Sequence, residues 1–154
     1  MLICVCGEPT EIIRQTILAA KKTADVYTKK IHPRSKPKVI VLNDGKVAQK
    51  ENWREIRELC RELGVQHIAR KIPGGFKAGN INNALAKLKT NDPHNTIDIV
   101  LDADYAALPK FLTEITKPFV NKTIDFIQTP QRYRNEKTWI AKAANAHQIN
   151  FFQY

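Results

Sequence analysis

Two aspartates separated by one alanine, in Asp102-Ala103-Asp104, form the clearest chemical pattern of the sequence. They follow Ile97 to Leu101, a segment that is apolar apart from Asp98 and that reads as a buried strand. Two carboxylates beyond a buried strand are costly unless they are solvated or paired with a cation. Hard divalent cations such as Mg²⁺ prefer oxygen ligands and are usually held by one or two carboxylates together with substrate phosphates. The pattern therefore indicates a divalent-cation site, with an ordinary aspartate turn as the alternative.

A second pattern, Gly74-Gly75 followed by Lys77 and Gly79, lies at the start of a helix predicted over Ala78 to Leu88. A lysine near the positive end of a helix is unfavourable unless an anion is present, and helix N-termini bind phosphate readily. The segment has neither the Gly-Lys-Ser/Thr ending of a Walker A loop nor the dinucleotide-binding fingerprint. The pattern favours a diphosphate near Lys77, and the alternative is an exposed lysine at a helix start.

Short apolar runs that alternate with helical patterns are the elements that must position these groups. Strands are predicted over Met1 to Cys6, Val39 to Leu42, Val65 to Ala69, Ile97 to Leu101 and Ile124 to Ile127. Helices are predicted after Pro9, from Trp53 to Leu63 with Gly64 just past its end, over Ala78 to Leu88, from Pro109 and over Trp139 to Tyr154. The alternation predicts an α/β fold of parallel βαβ units, with helices on both faces of one sheet.

Polar clusters follow every predicted strand. They are Gly7-Glu8, Asn43-Asp44-Gly45, Gly74-Gly75 with Lys77, Asp102-Ala103-Asp104 and Gln128-Thr129-Pro130-Gln131. In an open parallel sheet, ligands bind outside the carboxyl ends of the strands, where such loops converge. We therefore expect one shared site, although Asn43-Asp44-Gly45 is equally consistent with an ordinary turn.

The composition is that of a folded globular domain, since the 154 residues are 43% hydrophobic and 26% charged. No apolar run approaches the roughly 20 residues of a membrane-spanning helix, and no secretory signal is predicted. The cysteines are odd in number, at Cys4, Cys6 and Cys60. This favours reduced thiols and a cytoplasmic setting.

The formal net charge is +10, and seven basic residues lie between Lys21 and Lys38 against the single acid Asp25. Such a charge favours polyanions, anionic lipid surfaces or phosphorylated small molecules, and a solvated helix end and loop is the alternative. Nucleic acid is not the expected partner, because the aromatic residues are not interleaved with basic ones and no recognised motif is present.

Taken in order, the polar clusters resemble those of the processive branch of glycosyltransferase family 2, the cellulose synthase-like enzymes. The matching stretches are Cys6-Gly7-Glu8-Pro9, Asn43-Asp44-Gly45, Phe76-Lys77-Ala78-Gly79-Asn80 with Asn82-Asn83-Ala84-Leu85, Asp102-Ala103-Asp104 and Gln128-Thr129-Pro130-Gln131. The resemblance covers nearly the whole chain. It implies a GT-A-type fold, with a Rossmann-like, mostly parallel sheet, that binds a UDP-sugar, with UDP-glucose as the first candidate.

The resemblance also implies roles for individual residues. Asp104 would bind Mg²⁺ or Mn²⁺ directly, and Asp102 would help to hold both the cation and the nucleotide. The implied donor-binding residues are Glu8, Asn43, Asp44, Lys77, Asn80 and Asp102. Three positions depart from the family pattern: Asn43 stands where the family usually has Asp, Gly7 where it usually has Asn, and Gly75-Phe76 where it often has His-Ala.

Two further motifs of the family, a Thr-Glu-Asp motif that supplies the catalytic base and a Gln-x-x-Arg-Trp motif, do not occur before Tyr154. We therefore expect residues 1–154 to form a single nucleotide-sugar-binding domain, the donor half of a GT-A domain, with the base beyond Tyr154. Alone, the chain is expected to be inactive. A non-catalytic nucleotide-binding module of the same fold is the alternative.

For the parent enzyme, the resemblance implies inverting transfer to a growing β-glucan-type polysaccharide. It also implies a membrane-embedded protein at the cytoplasmic face of the plasma (inner) membrane. An apolar stripe at near-helical spacing predicts that the isolated chain self-associates or needs a partner. The stripe comprises Trp139, Ile140, Ala143, His147, Phe151 and Tyr154.

Overall fold

The computed structural model of the chain describes residues 1–88, 90, 92–131 and 137–151. The chain divides into two compact units, Met1–Thr113 and Glu114–Tyr154. All the strands found among the described residues belong to the first unit. Its elements are β1 (Leu2–Val5), α1 (Thr10–Lys30), β2 (Ile40–Asn43), α2 (Trp53–Glu62), β3 (Gln66–Ala69), α3 (Phe76–Lys87) and β4 (Val100–Asp102). The next helix, α4 (Phe111–Thr116), spans the boundary between the units.

The sheet has four parallel strands in the order β3-β2-β1-β4. Leu2 of the central strand β1 lies opposite Ile40 on one side and Val100 on the other. Because the strands are parallel, all their carboxyl ends lie at one edge, where the loops that follow them meet. The predicted α/β architecture is confirmed.

The core lies on both faces of the sheet, because the side chains of β1 and β2 are buried along their whole length. On one face, Leu2, Cys4 and Leu42 pack with Ala84 of α3. Side chains alternate along a strand, so the buried Ile3 and Val41 face the other side. There α1 contacts β1 and α2 contacts β2. The prediction of helices on both faces is therefore also confirmed.

Most elements differ from the predicted bounds by a residue or two, and two of these differences affect the candidate site. Helix α3 begins at Phe76, two residues earlier than predicted, which places Lys77 in its first turn. Strand β4 covers only Val100–Asp102, so Asp102 is part of the strand rather than of the loop after it.

The predicted fifth strand, Ile124 to Ile127, is wrong. These four residues are in no strand, and Phe126 is 81% exposed. A strand needs a neighbour that satisfies its backbone N–H and C=O groups, and the described strands pair only as β3-β2-β1-β4. The apolar character of the run therefore did not distinguish a strand from an irregular segment.

The second unit contains a short 3₁₀ turn, Lys117–Val120, and a last helix, α5 (Trp139–Phe151). Helix α5 confirms the helical prediction for this region. Trp139 and Ile140 are 79% and 62% exposed, while the side chains of residues 148–154 lie outside the described part. In the described part of the chain, no helix combines the length and apolar character needed to cross a membrane.

Candidate functional site

A pocket of about 410 Å³ opens at the carboxyl-end edge of the sheet, entirely within the first unit. Its lining includes six of the seven site residues predicted from the sequence: Glu8, Asp44, Lys77, Asn80, Asp102 and Asp104. Asp102 ends β4, and the other five come from the loops and helices that follow the four strands. The fold thus brings together groups that are almost a hundred residues apart in the chain.

The two aspartates of the Asp102-Ala103-Asp104 cluster occupy different environments. Asp102 is half-exposed and forms an ion pair with the ammonium of Lys77, whereas Asp104 is exposed. Helix α1 holds the turn between them, because the buried hydroxyl of Thr16 donates a 2.7 Å hydrogen bond to the carbonyl of Ala103. Lys77 therefore meets a carboxylate here, and Asp104 keeps its oxygens available at the pocket.

Asp44 lies in the pocket wall and is held by a buried arginine, Arg70. The guanidinium donates from Nε and Nη2 to the two carboxylate oxygens of Asp44, both at 2.6 Å. These hydrogen bonds raise the pKa of Arg70 further above its ordinary value. Arg70 also donates to the carbonyls of Gly74 and Phe76. One side chain thus joins the loop after β2 to the loop before α3.

Asn43 does not line the pocket but lies fully buried beside it. Its amide nitrogen donates to the carbonyl of Trp53 at 3.0 Å and lies 3.1 Å from Nε2 of His67. Its Oδ1 accepts the backbone N–H of Gly45 at 2.8 Å. Burial and the charge of Arg57 lower the pKa of His67, so the neutral ring accepts this hydrogen bond. The implied role of Asn43 in binding the donor remains a prediction.

Asn80 anchors α3 to the sheet at the floor of the pocket. Its buried Nδ2 donates to the carbonyl of Leu42 at 3.0 Å, while its Oδ1 has no hydrogen-bond partner within the described residues. The helix approaches the preceding loop so closely that a Cβ on Gly79 would lie 2.0 Å from the carbonyl oxygen of Gly74. Glycine is therefore required at position 79, which explains the Lys-Ala-Gly-Asn pattern structurally.

Glu8 closes the side of the pocket next to β1. Its Oε2 accepts the backbone N–H of Cys6 at 2.6 Å, and its own carbonyl accepts the Nδ2 of Asn52 at 2.9 Å. The carboxylate is therefore tied to the loop after β1 and not to any cationic side chain in the described chain. It adds a fourth carboxylate to a pocket that already holds Asp44, Asp102 and Asp104.

The residues present fit a hard divalent cation that shares its ligands with a substrate. Asp102 and Asp104 supply carboxylate oxygens, the donors that Mg²⁺ prefers. In the ranges that the structure describes, no group of three or more His, Cys, Asp or Glu side chains could hold a metal by itself. The arrangement is that of a site completed by phosphate oxygens and water rather than of an all-protein cage.

The three thiols give a test of access to this pocket. Cys4 and Cys60 are buried and Cys6 is exposed at the pocket. Burial raises the pKa of Cys4 to about 11 and that of Cys60 to about 12. Only thiolates react, so we expect a disulfide reagent at pH 8 to label one thiol in the folded chain and three in denaturant.

Burial, Asp44 and Glu8 also raise the pKa of Cys6, so its labelling should accelerate as the pH rises. A bound diphosphate adds negative charge and covers the thiol, and we expect UDP with Mn²⁺ to slow the reaction. A Cys6→Ser variant, which should show no fast labelling, is the control. Labelling of all three thiols in the folded protein, or a rate that UDP leaves unchanged, would contradict this prediction.

Sequence reasoning missed two residues that position the site, Arg70 and Thr16. Arg70 follows β3 directly and has no sequence partner nearby, since Asp44 is 26 positions earlier. Thr16 had a usable signal, because it is a polar residue on the apolar face of α1 between Ile13 and Ile17. A buried hydroxyl requires a hydrogen-bond partner, and that partner is the turn that carries Asp104.

Comparison with known proteins agrees with this geometry. The model of the family "Glycosyl transferase family 2" matches residues 1–154. A cellulose synthase catalytic subunit (UDP-forming) of Pseudomonas fluorescens (strain SBW25) is 31% identical over 125 residues, which is 80% of this chain and 14% of that protein. The corresponding subunit of Xanthomonas axonopodis pv. citri (strain 306) is 28% identical over 128 residues, 82% of this chain and 15% of that protein. The chain thus spans a small part of the relatives' length, and it belongs to glycosyltransferase family 2.

Proposed function

We propose that this chain is the donor-binding part of a glycosyltransferase that binds a UDP-sugar, with UDP-glucose as the first candidate, together with Mg²⁺ or Mn²⁺. The observation that carries the proposal is the pocket in which Lys77 and Asp102 are paired beside the exposed Asp104. The ammonium of Lys77 beside the carboxylates of Asp102 and Asp104 matches a ligand that is a metal–diphosphate complex. Family membership supports glycosyl transfer as the reaction class.

Two residues would hold the divalent cation, Asp104 and Asp102. When bound, the cation neutralises the negative charge that develops on the diphosphate as it leaves. The ammonium of Lys77 adds a point charge to the same group, which stabilises the departing diphosphate without any proton transfer. Asp44, Glu8 and Asn80 line the remainder of the pocket and orient the nucleotide.

Transfer also needs a base that takes the proton of the acceptor hydroxyl. In the proposed reaction this hydroxyl attacks the anomeric carbon of the sugar from the side opposite UDP, so the bond to UDP breaks and the anomeric configuration inverts. Asp44 is held by Arg70 and Asp102 by Lys77, and we assign Asp104 to the cation. We therefore propose that the base and the surface for a polysaccharide acceptor lie in the part of the relatives that this chain does not cover.

We place the parent enzyme at the cytoplasmic face of a membrane, and one surface supports this. Lys29, Lys30, Arg34, Lys36 and Lys38 are all exposed, and none forms an ion pair in the described part of the chain. Such clusters attract anionic lipid headgroups. Cosedimentation with anionic but not with neutral vesicles is expected, and equal recovery with both would refute this location.

Calorimetric titration of UDP, UDP-glucose, GDP-mannose and single-stranded RNA, each with Mn²⁺ or with EDTA, tests the proposed ligand. We expect UDP and UDP-glucose to bind in a Mn²⁺-dependent manner and RNA not to bind. Acceptor-dependent polymer from UDP-glucose would show that the chain alone is active. Binding of UDP by a full-length relative without turnover would favour the alternative of a non-catalytic module.

The Lys77→Ala variant should bind UDP about tenfold more weakly and uridine almost unchanged, because the ammonium has no diphosphate to contact in the nucleoside. A hydrogen bond to a charged group contributes roughly 1.5–3 kcal/mol, and exposure places Lys77 at the lower end. Lys71→Ala, an exposed lysine outside the pocket, is the matched control. Equal losses for UDP and uridine would show that Lys77 acts through the fold instead.

A further inference from the structure

Phe76 has an exposed side chain and a left-handed backbone conformation, and neither feature stabilises the fold. Its side chain is 90% exposed although it belongs to the pocket lining, and its φ of 44° lies in the left-handed region. An exposed ring buries almost no apolar surface, and a left-handed backbone is unfavourable for a residue with a Cβ. Strained residues at the edge of a pocket persist where the surrounding structure holds them, and such positions cluster at ligand sites.

The structure holds the backbone of Phe76 through Arg70. Nη2 of the buried guanidinium donates to the carbonyl of Phe76 at 3.0 Å and to Asp44 at 2.6 Å. Nη1 of the same guanidinium donates to the carbonyl of Gly74. The residues before α3 are thus fixed to the loop after β2, and the ring of Phe76 is presented at the pocket without packing of its own.

The position of Phe76 between two charged groups defines what its ring can contact. On one side, the carbonyl of Phe76 accepts a hydrogen bond from Arg70, which is paired with Asp44. On the other side, the next residue of α3 is Lys77, which is paired with Asp102. If Lys77 binds the diphosphate, the group of the ligand that lies toward Asp44 is either the base or the sugar. A planar apolar ring with a free face stacks on a nucleobase. The hydroxyls of a sugar instead form hydrogen bonds with carboxylates and amides.

We propose that the ring of Phe76 stacks on the base of the bound nucleotide and supplies the uncharged part of its affinity. This inference rests on the proposed nucleotide site. If it is correct, Phe76 contributes equally to the affinity for uridine and to the affinity for UDP. Lys77, by contrast, contributes only to ligands that carry phosphate.

Titration of uridine and UDP into four variants tests the assignment, with ligand-observed NMR for the weakly bound nucleoside. Phe76→Ala and Phe76→Gly should each weaken both ligands by the same factor, about tenfold. Phe76→Tyr should stay within about twofold of the wild type, because its ring is retained. The matched control is Ile72→Ala, which removes an apolar side chain that is 79% exposed on the same loop but lies outside the pocket lining.

The glycine variant separates the ring from the backbone. Glycine adopts a positive φ without strain, so if Phe76 serves only the loop conformation, Phe76→Gly binds at least as well as the wild type, and the proposal fails. It also fails if Phe76→Ala matches Ile72→Ala, or if only UDP-glucose is weakened, which would place the ring against the sugar. Failure of the wild type to bind UDP would instead overturn the proposed nucleotide site.

Discussion

The Asp104→Ala variant should bind UDP in the presence of Mn²⁺ no more tightly than the wild-type protein binds it in EDTA. Asp104 is the one exposed carboxylate of the Asp102-Ala103-Asp104 turn, and Asp102 is already engaged by Lys77. Without Asp104, the cation loses one of its two proposed carboxylate ligands and keeps only Asp102, which already pairs with Lys77. Calorimetric titration of UDP under both conditions measures the effect directly.

The control for this variant is Asp25→Ala, which removes an exposed carboxylate from α1 at a position outside the pocket. It changes the net charge by the same amount and should leave Mn²⁺-dependent UDP binding intact. Thermal unfolding of Asp104→Ala should match the wild type, since the side chain is exposed. If the wild type binds UDP equally well in Mn²⁺ and in EDTA, the assignment of a cation to Asp104 is wrong.

The largest expected loss of stability follows from replacing Arg70 with methionine. The change leaves Asp44 charged and buried, without the two 2.6 Å hydrogen bonds that now satisfy its oxygens. Removing one partner of a buried ion pair costs about 3 kcal/mol. For a chain of this size that corresponds to a fall of roughly 10 °C in the unfolding temperature, measurable by circular dichroism.

A double variant, Arg70→Met with Asp44→Leu, distinguishes the cost of an uncompensated charge from a loss of packing. It removes both charges, so much of the lost stability should return. Lys71→Met removes the adjacent exposed cation and should leave the unfolding temperature within a few degrees of the wild type. Unfolding of Arg70→Met at the wild-type temperature would show that the pair contributes no net stability.

The architecture could be predicted from the sequence wherever burial leaves a regular pattern of apolar residues. Apolar residues at helical spacing identified α1 and α2, and β-branched runs identified β1 and β2, because the burial of these elements leaves a periodic pattern. Six of the site residues were found in one pocket because parallel strands place their following loops at one edge. The strand predicted over Ile124 to Ile127 was wrong, since an apolar run does not specify which strand would pair with it.

The supporting contacts of the site could not be predicted in the same way. Arg70 contacts Asp44 only because β2 and β3 are neighbours, and no local rule records which arginine enters the wall of the pocket. Asn43 is a similar case: its residue type is visible in the sequence as an amide where the family usually has a carboxylate, but its three internal contacts are not. Tertiary neighbours, rather than residue types, determine these roles.

The strand order has a consequence for how the chain is made on the ribosome. β1 is central, yet β4, its neighbour on one side, is synthesised roughly a hundred residues later. At about 5–20 residues per second, the free edge of β1 waits roughly 5–20 s for that partner. Unpaired edges recruit strands from other chains. Shortened versions of this protein that end before Val100 therefore retain an apolar open edge permanently and are poor candidates for soluble production.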